Sequence, residues 1–447
     1  MANTNTLLEG EVTELLQALI RNRCVNDGSA ASGHERRSVD TLTSYLGDVP
    51  LDLEVYEPSP GRASLVGRIE GRNPEAPTLL LMGHTDVVPV NEERWTHDPF
   101  GGELIDGEVW GRGAVDMLNL TASMAVATRH LAAEGWSPEG TLVFLAVADE
   151  EALGNHGARH LVANEHDAVV ADHVITEAGG FPIPTPAGLR LPVIVGEKGT
   201  YWCRLTVRGT AGHGSQPYRS DNAVVTAAEV VRRIHEFRPE TQIHDVFRQF
   251  IEGLGLPVEL SGPLLSPESL DGMLESLPLG MARQFHACTH TTMSPNVIHG
   301  GNKVNTIPDE VVLEIDIRTL PGQRSEDAHA LLVEALGDLA ARVEIENLEA
   351  DESTASAVDT PLWHSLERVS QGFYEGSALV PYLTVGATDA RFFRGVGSTA
   401  YGFGMFSRRL SFEDYGVMFH GDDERVDVES LSLSTALWDA VARDLLT

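Results

Sequence analysis

Thr78-Leu79-Leu80-Leu81-Met82 runs directly into Gly83-His84-Thr85-Asp86. A short, fully apolar run of this kind reads as a buried strand, and the polar residues that end it fall where its carboxyl end meets solvent. In a strand or its extended exit, residues two apart face the same side. The Asp86 carboxylate can therefore hydrogen-bond the His84 imidazole and fix its tautomer, as the partner of a metal-bound histidine usually does. A polar loop would explain the same residues, so the rest of the chain has to decide.

Similar apolar runs occur at Thr141 to Ala148, His173 to Ile175 and Val193 to Val195, with a helical pattern from Leu120 to Leu131 between the first two. Helical spacing also marks Glu11 to Arg23 and Arg36 to Leu46. Short buried strands alternating with helices indicate an α/β domain with a mostly parallel sheet flanked by helices. Ligands of such sheets collect beyond the carboxyl ends of the strands. After Gly199 the pattern changes. Strand-like Tyr201 to Val207, helical Asn222 to Phe237, strand-like Val311 to Ile317, helical Ser325 to Leu336 and strand-like Arg342 to Leu348 suggest a ferredoxin-like β-α-β-β-α-β unit. Pro239 to Thr292, rich in Pro, Gly and Leu, is long for a connection and reads as a helical excursion within that unit. The α/β pattern returns at Pro361. The expected division is a catalytic α/β domain over 1–198 and 351–447, interrupted by an α+β unit over 199–350 with an insertion at about 239–292.

Bulk properties narrow the function. The chain has 447 residues, 42% of them hydrophobic, enough for a large core and two or more domains. Thirty-two Lys and Arg against 66 Asp and Glu give a formal charge of −34, which repels nucleic acid and acidic membrane surfaces. Only Cys24, Cys203 and Cys288 occur, far apart, so neither a disulfide framework nor a thiolate zinc site is expected. A metal would have to use histidine and carboxylate. Without a secretory pattern at Met1 to Glu9 or a membrane-length apolar run, the cytoplasm is the default location.

Four further segments offer such ligands. Gly111-Arg112-Gly113-Ala114-Val115-Asp116 is a glycine-punctuated turn that delivers one acid just ahead of a helix. Asp116 could cap that helix, bridge two cations with its two oxygens, or do both. Asp149-Glu150-Glu151 closes the Leu142 to Val147 strand, and three adjacent acids repel one another unless a cation or solvent compensates. One could ligate a metal while its neighbour acts as general base, although an exposed acidic turn reads the same way. Glu177 follows another strand, and His420 adds a second imidazole near the C-terminus. All-histidine and carboxylate ligation with room for water is what a catalytic zinc site requires.

These motifs, in this order, resemble the metallopeptidase family that includes aminoacylase, acetylornithine deacetylase, succinyl-diaminopimelate desuccinylase and glutamate carboxypeptidase. The similarity runs from Gly83-His84-Thr85-Asp86-Val87-Val88-Pro89 through Asp149-Glu150-Glu151, Gly196-Glu197-Lys198-Gly199, Gly212-His213, Asn305-Thr306-Ile307-Pro308-Asp309 and Thr388-Asp389-Ala390-Arg391 to His420-Gly421-Asp422-Asp423-Glu424.

The resemblance implies a zinc-peptidase-like fold whose inserted unit is a lid and dimerisation domain. It also implies two divalent metal ions, zinc first, with cobalt or manganese as substitutes. His84, Asp116 and Glu177 would hold one ion, and Asp116, Glu151 and His420 the other. Asp86 would orient His84, and Glu150 would be the general base toward a metal-bridging water. The peptide after the bridging aspartate would be cis. His213 would lie outside the metal shell and, in a homodimer formed through the lid, stabilise the oxyanion in the partner's site. Asn305 and Arg318 would line the substrate side of the lid, although a salt bridge would explain Arg318 equally well. The implied activity is hydrolysis of an amide bond in an N-acyl amino acid or short peptide. The alternatives are amidohydrolysis of an unusual non-peptide substrate and a non-catalytic metal-binding relative. One departure stands beside the site, where Leu118-Asn119 replaces the Lys-Gly of many relatives.

Overall fold

In the computed structural model, which describes residues 2–409 and 411–447, the strands Thr78–His84, Thr141–Val147, His173–Thr176 and Thr399–Gly402 form the centre of a ten-stranded sheet. The four are parallel to one another, with Leu79 opposite both Leu142 and His173, and Ala400 opposite Val174. The flanking strands are antiparallel on one side, Asp52–Ser59 and Arg62–Ile69. On the other side Gly188–Glu197 joins the centre antiparallel and pairs in parallel with Ala378–Thr384. The fold is mixed α/β with a mostly parallel central sheet and flanking helices.

Both faces of the central strands are buried, which explains why they read as unbroken apolar runs. On one face Leu79, Leu81, Leu142 and Phe144 pack with Leu120 and Met124 of the helix Leu118–Ala133 and Trp438 of the helix Val428–Leu446. On the other, Leu80, Met82, Val143 and Leu145 pack with Leu161 and Phe393. Gly83 permits close approach of the first of these helices, since a Cβ there would lie 2.3 Å from Thr121 Oγ1. Thr121 Oγ1 donates to the His84 carbonyl at 2.8 Å, fastening the helix to the end of the strand.

A separate four-stranded antiparallel sheet comprises Gly199–Arg208, Thr292–Gly300, Glu310–Thr319 and Val343–Asp351. The second of these was not legible as a strand. With the helices Ala223–Glu236 and Ser325–Leu336 on one face, it has the expected β-α-β-β-α-β order and its own core of Tyr201, Leu205, Val230, Leu313, Ile317 and Leu332. The segment between the first helix and second strand holds four short helices, Asp245–Gly253, Val258–Leu264, Pro267–Leu274 and Leu279–Thr289. They turn away from the small sheet, and Phe247, Phe250 and Phe285 pack on Ile194, Val380 and Tyr382 of the large one. Among the described residues no helix is long and apolar enough to cross a membrane.

Candidate metal centre

The parallel register carries the chemistry-bearing residues to one edge. His84 ends its strand opposite Val147, Asp149 to Glu151 follow Val147, and Glu177 follows Thr176. Asp116 arrives on the turn before the Leu118–Ala133 helix, and His420 on the loop after Phe412–Met418.

Asp116 lies between the two imidazoles. His84 Nε2 is 3.2 Å from its Oδ1, and His420 Nε2 is 3.2 Å from its Oδ2. Glu177 Oε2 lies 3.8 Å from His84 Nε2, and Glu151 Oε2 lies 3.2 Å from His420 Nε2. The potential ligand atoms of His84, Asp116 and Glu177 are mutually within 4.8 Å, as are those of Asp116, Glu151 and His420. His84, Glu150 and Glu151 meet the same criterion, so Glu150 borders both groups. The Asp116–Met117 peptide bond is cis.

The electrostatics are those of a crowded acidic pocket. Burial, then the charge of Glu177, pushes the Glu150 carboxyl well above the ordinary range. Burial, then the charge of Asp116, lifts Glu151 to about 7. Hydrogen bonding to Asp116 and Glu151 raises His420 to about 10. Burial opposes a charge on His84, but its bonds to Asp116 and Glu177 outweigh that and hold its pKa well above the usual value. Burial likewise opposes ionisation of Asp116, yet the two imidazoles keep it below the usual range.

Three observations fit a metal pair. The donors are imidazole and carboxylate, no Lys or Arg pairs with Asp116, Glu151 or Glu177 among the described residues, and Glu151 Oε1 is buried without a hydrogen-bond partner.

Asp86 behaves differently from the expectation. The His84 Nδ1 atom is 2.9 Å from the main-chain carbonyl of Asp86 and 3.7 Å from its carboxylate. The carbonyl fixes the imidazole, because the Asp86 carboxylate is taken up elsewhere. It accepts the main-chain N–H groups of Glu150 at 3.2 Å and Glu151 at 3.1 Å, and the Asn26 amide at 2.8 Å.

The remaining expected residues lie outside the cluster. His213 and Asn305 share a two-stranded ribbon in which His213 pairs with Thr306 and Gly214 N–H donates to Asn305 O at 2.8 Å. Both are exposed, and His213 Nδ1 lies 2.7 Å from Ser215 Oγ. Arg318 is held within the chain. Its Nε donates to Asp316 at 2.7 Å, its Nη1 donates to Thr200 Oγ1 at 2.9 Å, and its guanidinium lies over the Trp202 ring. The salt bridge considered for it is therefore present.

Sequence reading missed several residues that build the site. The fully buried Glu424 accepts Arg112 Nη1 at 2.7 Å and the N–H groups of Gly113, Val115 and Asp116 at 3.0, 2.6 and 2.9 Å. It ends the His420 to Glu424 motif, but nothing in the sequence pointed to its role behind Asp116. Asn26, Arg62 and Glu35 form a buried network behind Asp149, with Arg62 Nη1 2.8 Å from Glu35 and 3.3 Å from Asp149. Asp389 is buried with both carboxylate oxygens unpartnered, and burial lifts it to about 8. Asn119, part of the departure beside Asp116, is also buried, with its Oδ1 unpartnered.

The chain is 29% identical to the N-fatty-acyl-amino acid synthase/hydrolase PM20D1 of Homo sapiens, over 81% of this chain and 73% of that protein. It is 27% identical to Aminoacylase-1 of Sus scrofa, over 91% and 90%. Among solved structures, the M20 family metallo-carboxypeptidase Sso-CP2 from Sulfolobus solfataricus superposes with a TM-score of 0.72 at 18% identity, covering 98% of this chain and 99% of that one. The model of peptidase family M20/M25/M40 matches residues 80–444, and the chain belongs to that family.

Proposed function

We propose that this chain hydrolyses the amide bond of an N-acyl amino acid or short peptide, with two divalent ions, zinc by preference, held by His84, Asp116 and Glu177 and by Asp116, Glu151 and His420. The observation that carries this reading is Asp116, which turns one oxygen toward each imidazole. Bound there, the ions would polarise the scissile carbonyl and lower the pKa of a water.

Glu150 is the general base. It stands beside Glu151 on one short turn and borders both groups of ligand atoms, where a carboxylate can take a proton and return it. It accepts the proton of the attacking water as the oxygen bonds to the carbonyl carbon. It then delivers that proton to the nitrogen as the C–N bond breaks. The Asp86 carbonyl keeps the other nitrogen of His84 engaged, leaving Nε2 to face Asp116.

The catalytic part comprises 1–198 and 351–447, and the lid comprises 199–350 with its insertion at about 239–292. The exposed ribbon of His213 and Asn305 serves the active site of a second copy in a homodimer, where His213 donates to the oxyanion. Asn305 and Arg318 line the substrate side of the lid, and Arg318 must give up Asp316 to bind a substrate carboxylate. The compartment is the cytoplasm, where three buried thiols remain reduced.

A panel of N-acyl amino acids and dipeptides, assayed with zinc, manganese or cobalt added, tests the reading. The expected result is turnover of at least one class, abolished by a chelator and restored by metal. A protein that binds two metal ions yet cleaves none of the panel would overturn the substrate assignment.

A further inference from the structure

The segment before the second helix of the chain runs beside the exit of the His84 strand. Val25 and Val87 form a parallel bridge, Val87 N–H donates to Cys24 O at 3.0 Å, and Asn26 N–H donates to Val87 O at 2.9 Å. This backbone pairing sets the Asn26 side chain, only 2% exposed, between two buried carboxylates. Its Nδ2 donates to Asp86 Oδ2 at 2.8 Å and to Asp149 Oδ1 at 3.1 Å. Its Oδ1 accepts Gly28 N–H at 3.0 Å, Arg62 Nη2 at 3.1 Å and Ser32 Oγ at 3.4 Å. Carboxylates on one side and N–H donors on the other admit a single orientation of the amide.

Both carboxylates that Asn26 joins hold the turn bearing Glu150 and Glu151. Asp86 accepts the main-chain N–H groups of those two residues. Asp149 begins the turn with a left-handed backbone, φ 68°, and its other oxygen accepts His156 N–H at 2.9 Å. Asp86 also supplies the carbonyl that orients His84. Removing the amide would leave Asp86 short of a donor and facing Asp149 across the gap, and the turn would have to move to relieve it.

We infer that Asn26 is a positioning residue of the metal centre, an amide clamp between Asp86 and Asp149 that fixes the Glu150-Glu151 turn against the strand exit bearing His84. The inference rests on reading those residues as ligands and base. A buried amide that merely satisfies its neighbours would affect stability alone. A clamp must also affect how well the site holds a metal.

The test uses the full chain and zinc alone, with affinity read by competition against a chelator. Asn26→Ala should bind zinc about ten- to hundredfold more weakly than the wild type, the range for loss of a partner behind a metal ligand. Asn26→Ser, which keeps one donor and perturbs folding less, should fall between. Val39→Ala removes buried apolar atoms from the neighbouring helix without touching Asp86 or Asp149, and should lower the melting temperature while leaving zinc affinity within about threefold. Zinc affinity within twofold of wild type for both Asn26 variants would overturn the inference, as would an equal loss in Val39→Ala. Turnover of N-acyl amino acids by the same preparations reads the other question. A wild type that binds zinc but hydrolyses none of them would count against the proposed reaction, while the zinc comparison still decides the role of Asn26.

Discussion

The Glu424 carboxylate accepts the main-chain N–H of Asp116 at 2.9 Å, so the loop that follows His420 holds the residue standing between the two imidazoles. With Val115 N–H, Gly113 N–H and Arg112 also bound to it, one buried acid organises the whole Gly111 to Asp116 turn. Glu424→Gln would replace an acceptor by an amide facing N–H donors and leave the Arg112 guanidinium uncompensated. The expected outcome is a loss of about 3–5 kcal/mol of stability and weaker metal binding, read by denaturant unfolding and by zinc titration. Unchanged unfolding and zinc affinity would show that the turn holds itself.

Metal loading should depend steeply on pH. In the metal-free protein His420 is raised to about 10 by its bonds to Asp116 and Glu151, and His84 stays well above its usual value through Asp116 and Glu177. Both protons must leave before the imidazoles can ligate, so affinity rises with pH, by at least about tenfold per unit below neutrality. Chelator competition at pH 6 and 7.5 measures this. Equal affinities would mean that the imidazoles are not ligands.

How much of this could be read in advance follows from how far each interaction reaches. His84, Glu151 and Glu177 were legible because each directly follows an apolar run, and parallel pairing of those runs brings strand ends together. The strand Arg62–Ile69 was missed because Arg62, Ser64 and Arg68 interrupt its apolar pattern, although Arg62 and Ser64 are buried by polar partners. Glu424 and Asn26 were missed as supports for a different reason. Their partners lie 308 and 60 positions away, and nothing local distinguishes a carboxylate or amide that holds a distant turn from one that faces water.

Lys198 offers an independent test of burial electrostatics. The residue is 1% exposed, its ammonium donates to Ala287 O, His290 O and Thr292 Oγ1 and pairs with no carboxylate among the described residues, and burial pulls it from 10.5 to about 7. Below pH 7 both folded and unfolded chains hold the proton, and the cost of the buried charge is fully present. Between about 7 and 10.5 the unfolded chain binds more protons, so this contribution makes stability rise with pH, and above 10.5 it is flat. Lys198→Met lacks that slope. The stability difference, variant minus wild type, should be most favourable to the variant near pH 6 and shift toward the wild type by pH 9.5. A pH-independent difference in denaturant unfolding would contradict the depressed pKa.

Arg318 separates a lid salt bridge from a substrate anchor. Held by Asp316 and Thr200, it can reach a substrate carboxylate only by exchanging partners. Asp316→Asn should release it and lower KM for an N-acyl amino acid about two- to fivefold, as expected for one charge-assisted contact made available. Arg318→Ala should raise KM and leave kcat nearly unchanged. If neither substitution moves KM, the guanidinium is structural only.

The most direct measurement is kcat of Glu150→Gln, made on protein whose metal content is verified as equal to the wild type. The substitution keeps the size and position of the side chain and removes only its capacity to take a proton. The expected result is a fall in kcat of about 10²- to 10⁴-fold with KM and metal content little changed. Wild-type turnover by fully loaded Glu150→Gln would contradict Glu150 as the general base, and with it the division of labour between Glu150 and Glu151.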